Sequence, residues 1–351
     1  MATLTQTAYL ARKIIKYGLI GLVALLVIRS VFLSIRTYLN KVRPKPLPPP
    51  TVAFGKLPKL QFPQKTNLPS LTLKVETISG ELPKLSDRAK VFFMPQASVN
   101  FLAWDKTKIW ARSLGFTQDP QETGKFSYRF VSETTPKTTL DVDVLTRNFS
   151  LVYDWKNDLE IFSPGNLPPD SQTISLAKAF LRNAGVLTDD LNQGRTKLVY
   201  FKYSDGNLSK TPFFSEADLA QVNFFRQDIE QIKVLPPNPQ DVNVSVKVSS
   251  SNDKTKSIIE AHFIHFPVSL ENSATYPLKD VSTAWTLLAK GEGFVANLGN
   301  NPSGNITVTD AYLAYYDSDQ AQNFLQPVIV FEGNNDFFAY VPAVSENWLE
   351  R

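Results

Sequence analysis

The 351-residue chain contains no cysteine, which excludes thiol nucleophiles, thiolate metal sites and disulfides together. Histidine is nearly absent as well, with only His262 and His265. There is no G-x-S-x-G elbow, Walker A loop, G-x-G-x-x-G fingerprint or EF-hand loop, so the local signatures of the commonest hydrolases, nucleotide binders and calcium binders are missing. The first acidic residue is Glu76.

What remains is a foldable composition, 43% hydrophobic and 20% charged, and not that of a disordered chain. The net charge of +4 is an average over two unlike parts. The first 60 residues hold ten Lys and Arg, and residues 61–351 sum to about −6. An acidic folded part argues against nucleic acid as a partner. The four sequons at Asn148, Asn207, Asn243 and Asn305 matter only in a host that glycosylates.

Residues 1–16 form a basic N-terminal segment, and residues 17–35 a hydrophobic one. At about 1.5 Å per residue the latter reaches roughly 28 Å, the thickness of a hydrocarbon layer. Arg29 lies near one end, where its side chain reaches the headgroups, and Tyr17 and Tyr38 are spaced for the two interfaces. No small-x-small cleavage site follows at the usual distance, which favours an uncleaved signal anchor through the lipid bilayer over a cleaved signal peptide. Arg12, Lys13 and Lys16 precede the segment, and Arg36, Lys41, Arg43 and Lys45 follow it. That count leans slightly against an inside N-terminus. The strand-rich, cysteine-free remainder is nonetheless expected on the extracytoplasmic side of a cytoplasmic membrane, as a single-pass protein.

Residues 36–66 are basic and rich in proline, including Pro44, Pro46, Pro48, Pro49, Pro50, Pro58 and Pro63. Such a stretch cannot continue a helix, and extended polyproline II geometry makes it a semi-rigid tether. Beyond it, three segments show a short amphipathic helix closed by glycine. The first is Ser98–Leu114 before Gly115. The second has Ser171 as its expected cap, Ile174, Ala177, Leu181 and Ala184 on one face, and Gly185 at its end. The third carries Val281, Ala284, Trp285 and Leu288 before Gly291. Alternating strands follow them: Phe126–Val131, Leu140–Leu145 and Phe149–Trp155, then Val242–Val248 and Ile258–Phe266. The last set is Ile306–Tyr316, Phe324–Phe331 and Phe337–Val341, with Glu332–Asp336 as a hairpin turn. The fold class is therefore α+β, with two or three units of antiparallel sheet and a packed helix. The units divide near Pro164–Pro169 into a first at 67–165 and a second region at 166–351 that has room for two.

Chemistry-bearing residues are sparse. On a strand, His262 and His265 point to opposite faces and cannot share a metal. Asp141 and Asp143 share a face, the arrangement acid–base work needs, but flanking Val142 and Val144 favour the wet face of a strand. Asp189 and Asp190 are a further pair, and Asp317, Asp319, Glu332 and Asp336 invite a cation only if one sheet end gathers them. No catalytic, metal or cofactor residue is assigned, and no cofactor is implied. Adjacent aromatics at Phe213 and Phe214, Phe224 and Phe225, and Phe337 and Phe338 require cover on both faces of their strands, or present one ring to a partner.

Ser215–Arg226, the Tyr276–Lys279 stretch, and Tyr312–Val344 with its Phe324–Gly333 and Phe338–Val344 strands resemble the YycH/YycI-type membrane-anchored regulatory proteins and the wider PepSY-like modules. The resemblance covers about a third of the chain, rests on apolar and turn residues, and transfers no functional residue. It implies an extracytoplasmic domain that regulates a sensor histidine kinase by protein–protein contact. The expected function is thus a non-enzymatic, membrane-tethered binding or regulatory module with a membrane-protein or envelope partner. Its alternatives are a structural or assembly component of the envelope, which self-associates or binds a wall polymer, and a glycan hydrolase built on scattered carboxylates.

Overall fold

The computed structural model describes residues 4–42, 48–65, 68–98, 102–163 and 165–350. Residues 1–3 of the basic segment, residues 43–47 and Thr66 of the expected tether, residues 99–101 at the start of the first expected helix, and Pro164 lie outside the described residues. The chain divides into a unit ending at Pro49 and a unit beginning at Pro50.

The first unit is a single helix, α1 (Leu4–Val42). Within it Ile15–Tyr38 is long and apolar enough to cross a membrane, which fits a membrane anchor or a signal sequence. Its apolar side chains are exposed all round, Leu22 and Leu26 among them. A soluble helix does not leave such a surface uncovered.

The second unit opens with chain that is docked, not free. Leu57 is fully buried and pairs with Leu349, and the Pro58 carbonyl accepts from Gln326. Val52, Phe54, Leu60 and Phe62 also pack into the unit. The tether expected through residue 66 is therefore shortened. Prolines keep this stretch extended, and the apolar residues between them bury it.

The strands are β1 (Thr72–Val75), β2 (Arg88–Phe93), β3 (Gln121–Glu122), β4 (Ser127–Val131), β5 (Thr138–Asp143) and β6 (Phe149–Tyr153). Then come β7 (Thr196–Ser204), β8 (Asn207–Thr211), β9 (Leu219–Phe224), β10 (Lys233–Leu235), β11 (Val244–Ser249), β12 (Ile258–Phe263) and β13 (Ser269–Pro277). Last are β14 (Phe294–Asn297), β15 (Asn305–Tyr316), β16 (Phe324–Leu325), β17 (Pro327–Gly333) and β18 (Phe337–Pro342). The helices are α2 (Ala103–Ser113), α3 (Asp170–Asn183), the one-turn α4 (Asp189–Gln193) and α5 (Val281–Ala289).

One nine-stranded sheet runs β3-β4-β5-β6-β12-β11-β9-β7-β8, antiparallel throughout. Alternation puts Leu140, Phe149, Leu151, Val246 and Ala261 into a core with Ala111 of α2 and Ala177 and Leu181 of α3. The opposite face carries one polar row in register: Arg129, Asp141, Ser150, His262, Ser245, Asn223 and Lys197. A second sheet runs β1-β15-β17-β18-β14, and a third β13-β2-β16. The third is antiparallel as expected, but the second is not wholly so, because β1 and β10 both join β15 in parallel.

Three times a helix precedes a run of antiparallel strands: α2 before the β4–β6 meander, α3 before β7, β9, β11 and β12, and α5 before β14, β15, β17 and β18, where β14 pairs with β18 and not with β15. All three helices close alike. Phe116 N–H donates to Ala111 O, Val186 N–H to Leu181 O and Glu292 N–H to Leu287 O, across Gly115, Gly185 and Gly291 at positive φ. That is a Schellman-type ending. The expected cap at Ser171 is displaced by two residues: α3 starts at Asp170, with Pro169 in the cap position. The expected division near residue 165 falls inside one continuous sheet, since Phe149–Phe263 and Val152–Glu260 pair across it. The terminal strands of the first two meanders each leave an open edge, and pairing them removes both.

Candidate functional site

Most acidic residues singled out from the sequence are engaged in local structure. Asp141 and Asp143 do share a face, and each is held by a neighbour. Arg129 makes paired bonds of 2.7 and 3.0 Å to Asp141. Asp143 accepts from Thr146 N–H and its hydroxyl. The quartet of Asp317, Asp319, Glu332 and Asp336 is not gathered: Glu332 accepts from Tyr312, while Asp317 faces Arg226. The histidines do not converge either. β12 ends at Phe263, so His262 stands in the polar row, where burial lowers its pKa. His265 lies beyond the strand end, buried.

The adjacent aromatics follow two patterns. Phe224 and Phe225 are both buried, as the covered-strand reading expects, whereas Phe213 and Phe214 are 60% and 41% exposed.

The residue that sequence reasoning missed is Arg226, the last letter of one resembling stretch and 6% exposed. Its guanidinium joins three elements. Nη1 donates to Asp190 Oδ2 at 3.0 Å, Nη2 donates to the Phe266 carbonyl at 2.6 Å, and Nε lies 2.9 Å from Asp317 Oδ2. The last contact is an ion pair without an aligned hydrogen bond. Asp190 also accepts from Thr188, lies 2.9 Å from His265 Nε2, and its backbone carbonyl takes the Gln227 N–H. Asn243 donates to the Asp317 carbonyl at 2.9 Å, and Asn148 Oδ1 accepts the His265 N–H at 3.0 Å. The network therefore ties α4, the end of β9, the loop after β12 and the loop after β15 into one rigid corner.

Its electrostatics are consistent with that geometry. Burial disfavours the Asp190 carboxylate, but the hydrogen bond and charge of His265, with Arg226 and Thr188, outweigh it. They hold Asp190 well below the usual carboxylate range. Burial likewise opposes the charge on Arg226, and Asp317 and Asp190 outweigh that too. A folded-state pKa below the unfolded value means Asp190 stabilises the fold fully above about pH 4 and loses that contribution as pH falls. In urea unfolding, Asp190→Asn should be clearly less stable than wild type at pH 7, and the gap should narrow at pH 3. A constant gap would show that the Asp190 charge is not what the corner uses.

Beside this corner lies an open cleft of about 520 Å³, within the usual size range of ligand sites. Phe92, Ile229, Val268 and Leu270 give it an apolar floor, and Asp189, Asp190, Asp228 and Glu230 stand around it. Leu270 is 58% exposed. It sits where the β13–β2 ladder breaks, since Ser269 pairs with Phe93 and Ser273 with Phe92. Leu270, Glu271 and Asn272 bulge out between them.

No protein-family model matches the chain, and no curated protein matches it. Among solved structures it is similar to that of an uncharacterized protein from Eubacterium rectale. The match has 12% identity and a TM-score of 0.36, over 74% of this chain and 84% of that one.

Proposed function

We propose that this chain is a membrane-tethered, extracytoplasmic binding and regulatory module that acts through protein–protein contacts and not by catalysis. The observation that carries this reading is the cleft, an exposed apolar floor beside an interrupted strand ladder, braced by the Arg226 network. Rigid walls around an exposed apolar surface suit docking, because little ordering entropy is then spent on binding. The charged groups at the corner are bonded to one another, which supports a bracing role for them. The apolar span in α1 supports anchorage, and the thrice-repeated order of a helix followed by antiparallel strands supports a PepSY-like architecture. The partner class implied by the YycH/YycI resemblance is a membrane-bound sensor kinase.

A photo-crosslinking residue at Leu270 of the full-length chain, in intact cells, tests the reading. The expected product is one heteromeric adduct with an integral membrane protein. Self-adducts alone would move the assignment to an envelope assembly component. Protease shaving of the same cells should remove a tag placed after Arg351; its protection until lysis would place the domain in the cytoplasm and end the extracytoplasmic assignment.

A further inference from the structure

We infer that the cleft takes an extended, Lys- or Arg-bearing peptide segment of the partner, added as a strand to the open edge of β13. This rests on the contact reading above and names the chemistry of its occupant.

The rim of the cleft carries unbalanced negative charge. Glu230 is paired with Lys90, and Asp190 with Arg226 and His265. Asp189 and Asp228 are exposed and have no ion pair among the described residues. Two unneutralised carboxylates over an apolar floor complement a cation carried on an aliphatic stem. The methylenes of Lys or Arg cover Ile229, Val268 and Leu270 while the charged head meets the rim. An anionic occupant meets repulsion on the same rim.

The outer backbone of β13 is only partly covered. Leu278 N–H donates to Asp87 O, which sets the parity of the β13–β2 ladder. Ser273, Thr275 and Pro277 then turn their polar backbone groups away from β2. Those of Thr275 are taken by Val52 N–H and the Thr51 hydroxyl, and the Pro277 carbonyl by Ser345 N–H. At Ser273 the outward N–H and carbonyl have no backbone partner among the described residues. The edge is thus covered from Thr275 onward and open at Ser273, and Ser273 is in register with Phe92, part of the cleft floor. An incoming strand pairs its backbone there and delivers alternate side chains to one face.

The test uses the full-length chain in nanodiscs and two labelled hexapeptides, one alternating Lys and Val, the other Glu and Val. Fluorescence anisotropy should show saturable binding of the Lys peptide, weakening as salt is raised, and none of the Glu peptide. Asp189→Asn with Asp228→Asn should lower the affinity about tenfold or more without moving the unfolding midpoint, since both carboxylates are exposed and unpaired. Ser273→Pro should lower it too, because proline removes only an outward N–H at this edge position. Equal binding of both peptides, no binding of the Lys peptide, or unchanged affinity in the Asp double variant would overturn the inference. Unchanged affinity in Ser273→Pro would overturn the added strand. If the Leu270 crosslink to a membrane protein survives any of these failures, the contact reading stands and only the occupant was misassigned. If it is lost as well, both fall.

Discussion

Replacing Arg226 with alanine should cost about 3–5 kcal/mol of folding stability, the usual loss when one partner of a buried charge pair is removed. The unfolding midpoint should drop by roughly 6–20 °C. The size of the effect comes from what is left behind. Asp317 is buried, its Oδ1 has no hydrogen bond among the described residues, and the Arg226 guanidinium is its nearest cation. Asp190 would keep His265 and Thr188, so the larger penalty falls on Asp317. Arg226→Lys should recover only part of the loss. A lysine ammonium is a single point charge and cannot span two carboxylates and the Phe266 carbonyl as a planar fork does. Adding Asp317→Asn to Arg226→Ala should then restore stability, since the orphaned charge is removed; purely additive losses would show that the two side chains do not depend on each other.

The second large effect concerns α1. Leu22 and Leu26 are 57% and 55% exposed and central in the apolar span. Exchanging both for arginine should shift the chain from the carbonate-resistant membrane fraction to the soluble one. Each arginine near a helix centre opposes insertion by about 2.5–3.5 kcal/mol, so the pair lowers partition by more than a thousandfold. Persistence in the resistant fraction would mean that the folded unit holds the membrane by another route.

The parts legible in the sequence were those with a strong local rule. α2, α3 and α5 stood out because helical spacing and a closing glycine occur together, and the alternation of Val244, Val246 and Val248 marked β11. Strands whose burial is decided by distant partners were not legible. In β7, Thr196–Ser204, partly buried and exposed positions mix without a period of two, and in β2 and β13 the alternation lasts only from Arg88 to Val91 and from Ser273 to Pro277. From sequence Leu57 belongs to a spacer, because its partner, Leu349, lies at the other end of the chain. The same reason hid the candidate site. Asp190, Arg226, His265 and Asp317 come from four separate segments, and nothing in their immediate neighbours marks them as a set. The only available signal was that Arg226 follows Phe224 and Phe225, a charge inside an aromatic run that needs a buried counter-ion.

The junction of β6 with β12 governs how this molecule reaches its native state. Phe149–Tyr153 can finish its ladder only after Ile258–Phe263 has been made, and Thr72–Val75 waits for Asn305–Val308. Such long closures slow the search for native contacts. During synthesis the first meander therefore has a bare strand edge at β6, a template for aggregation until the chain has been made as far as Phe263. Export before folding would resolve this, because the chain would cross the membrane extended and collapse only on the far side. A C-terminal truncation that removes β15 and all that follows would leave β1 and β10 without their partner, take β16 from the third sheet and take Asp317 from Arg226, so the damage should reach beyond the last sheet.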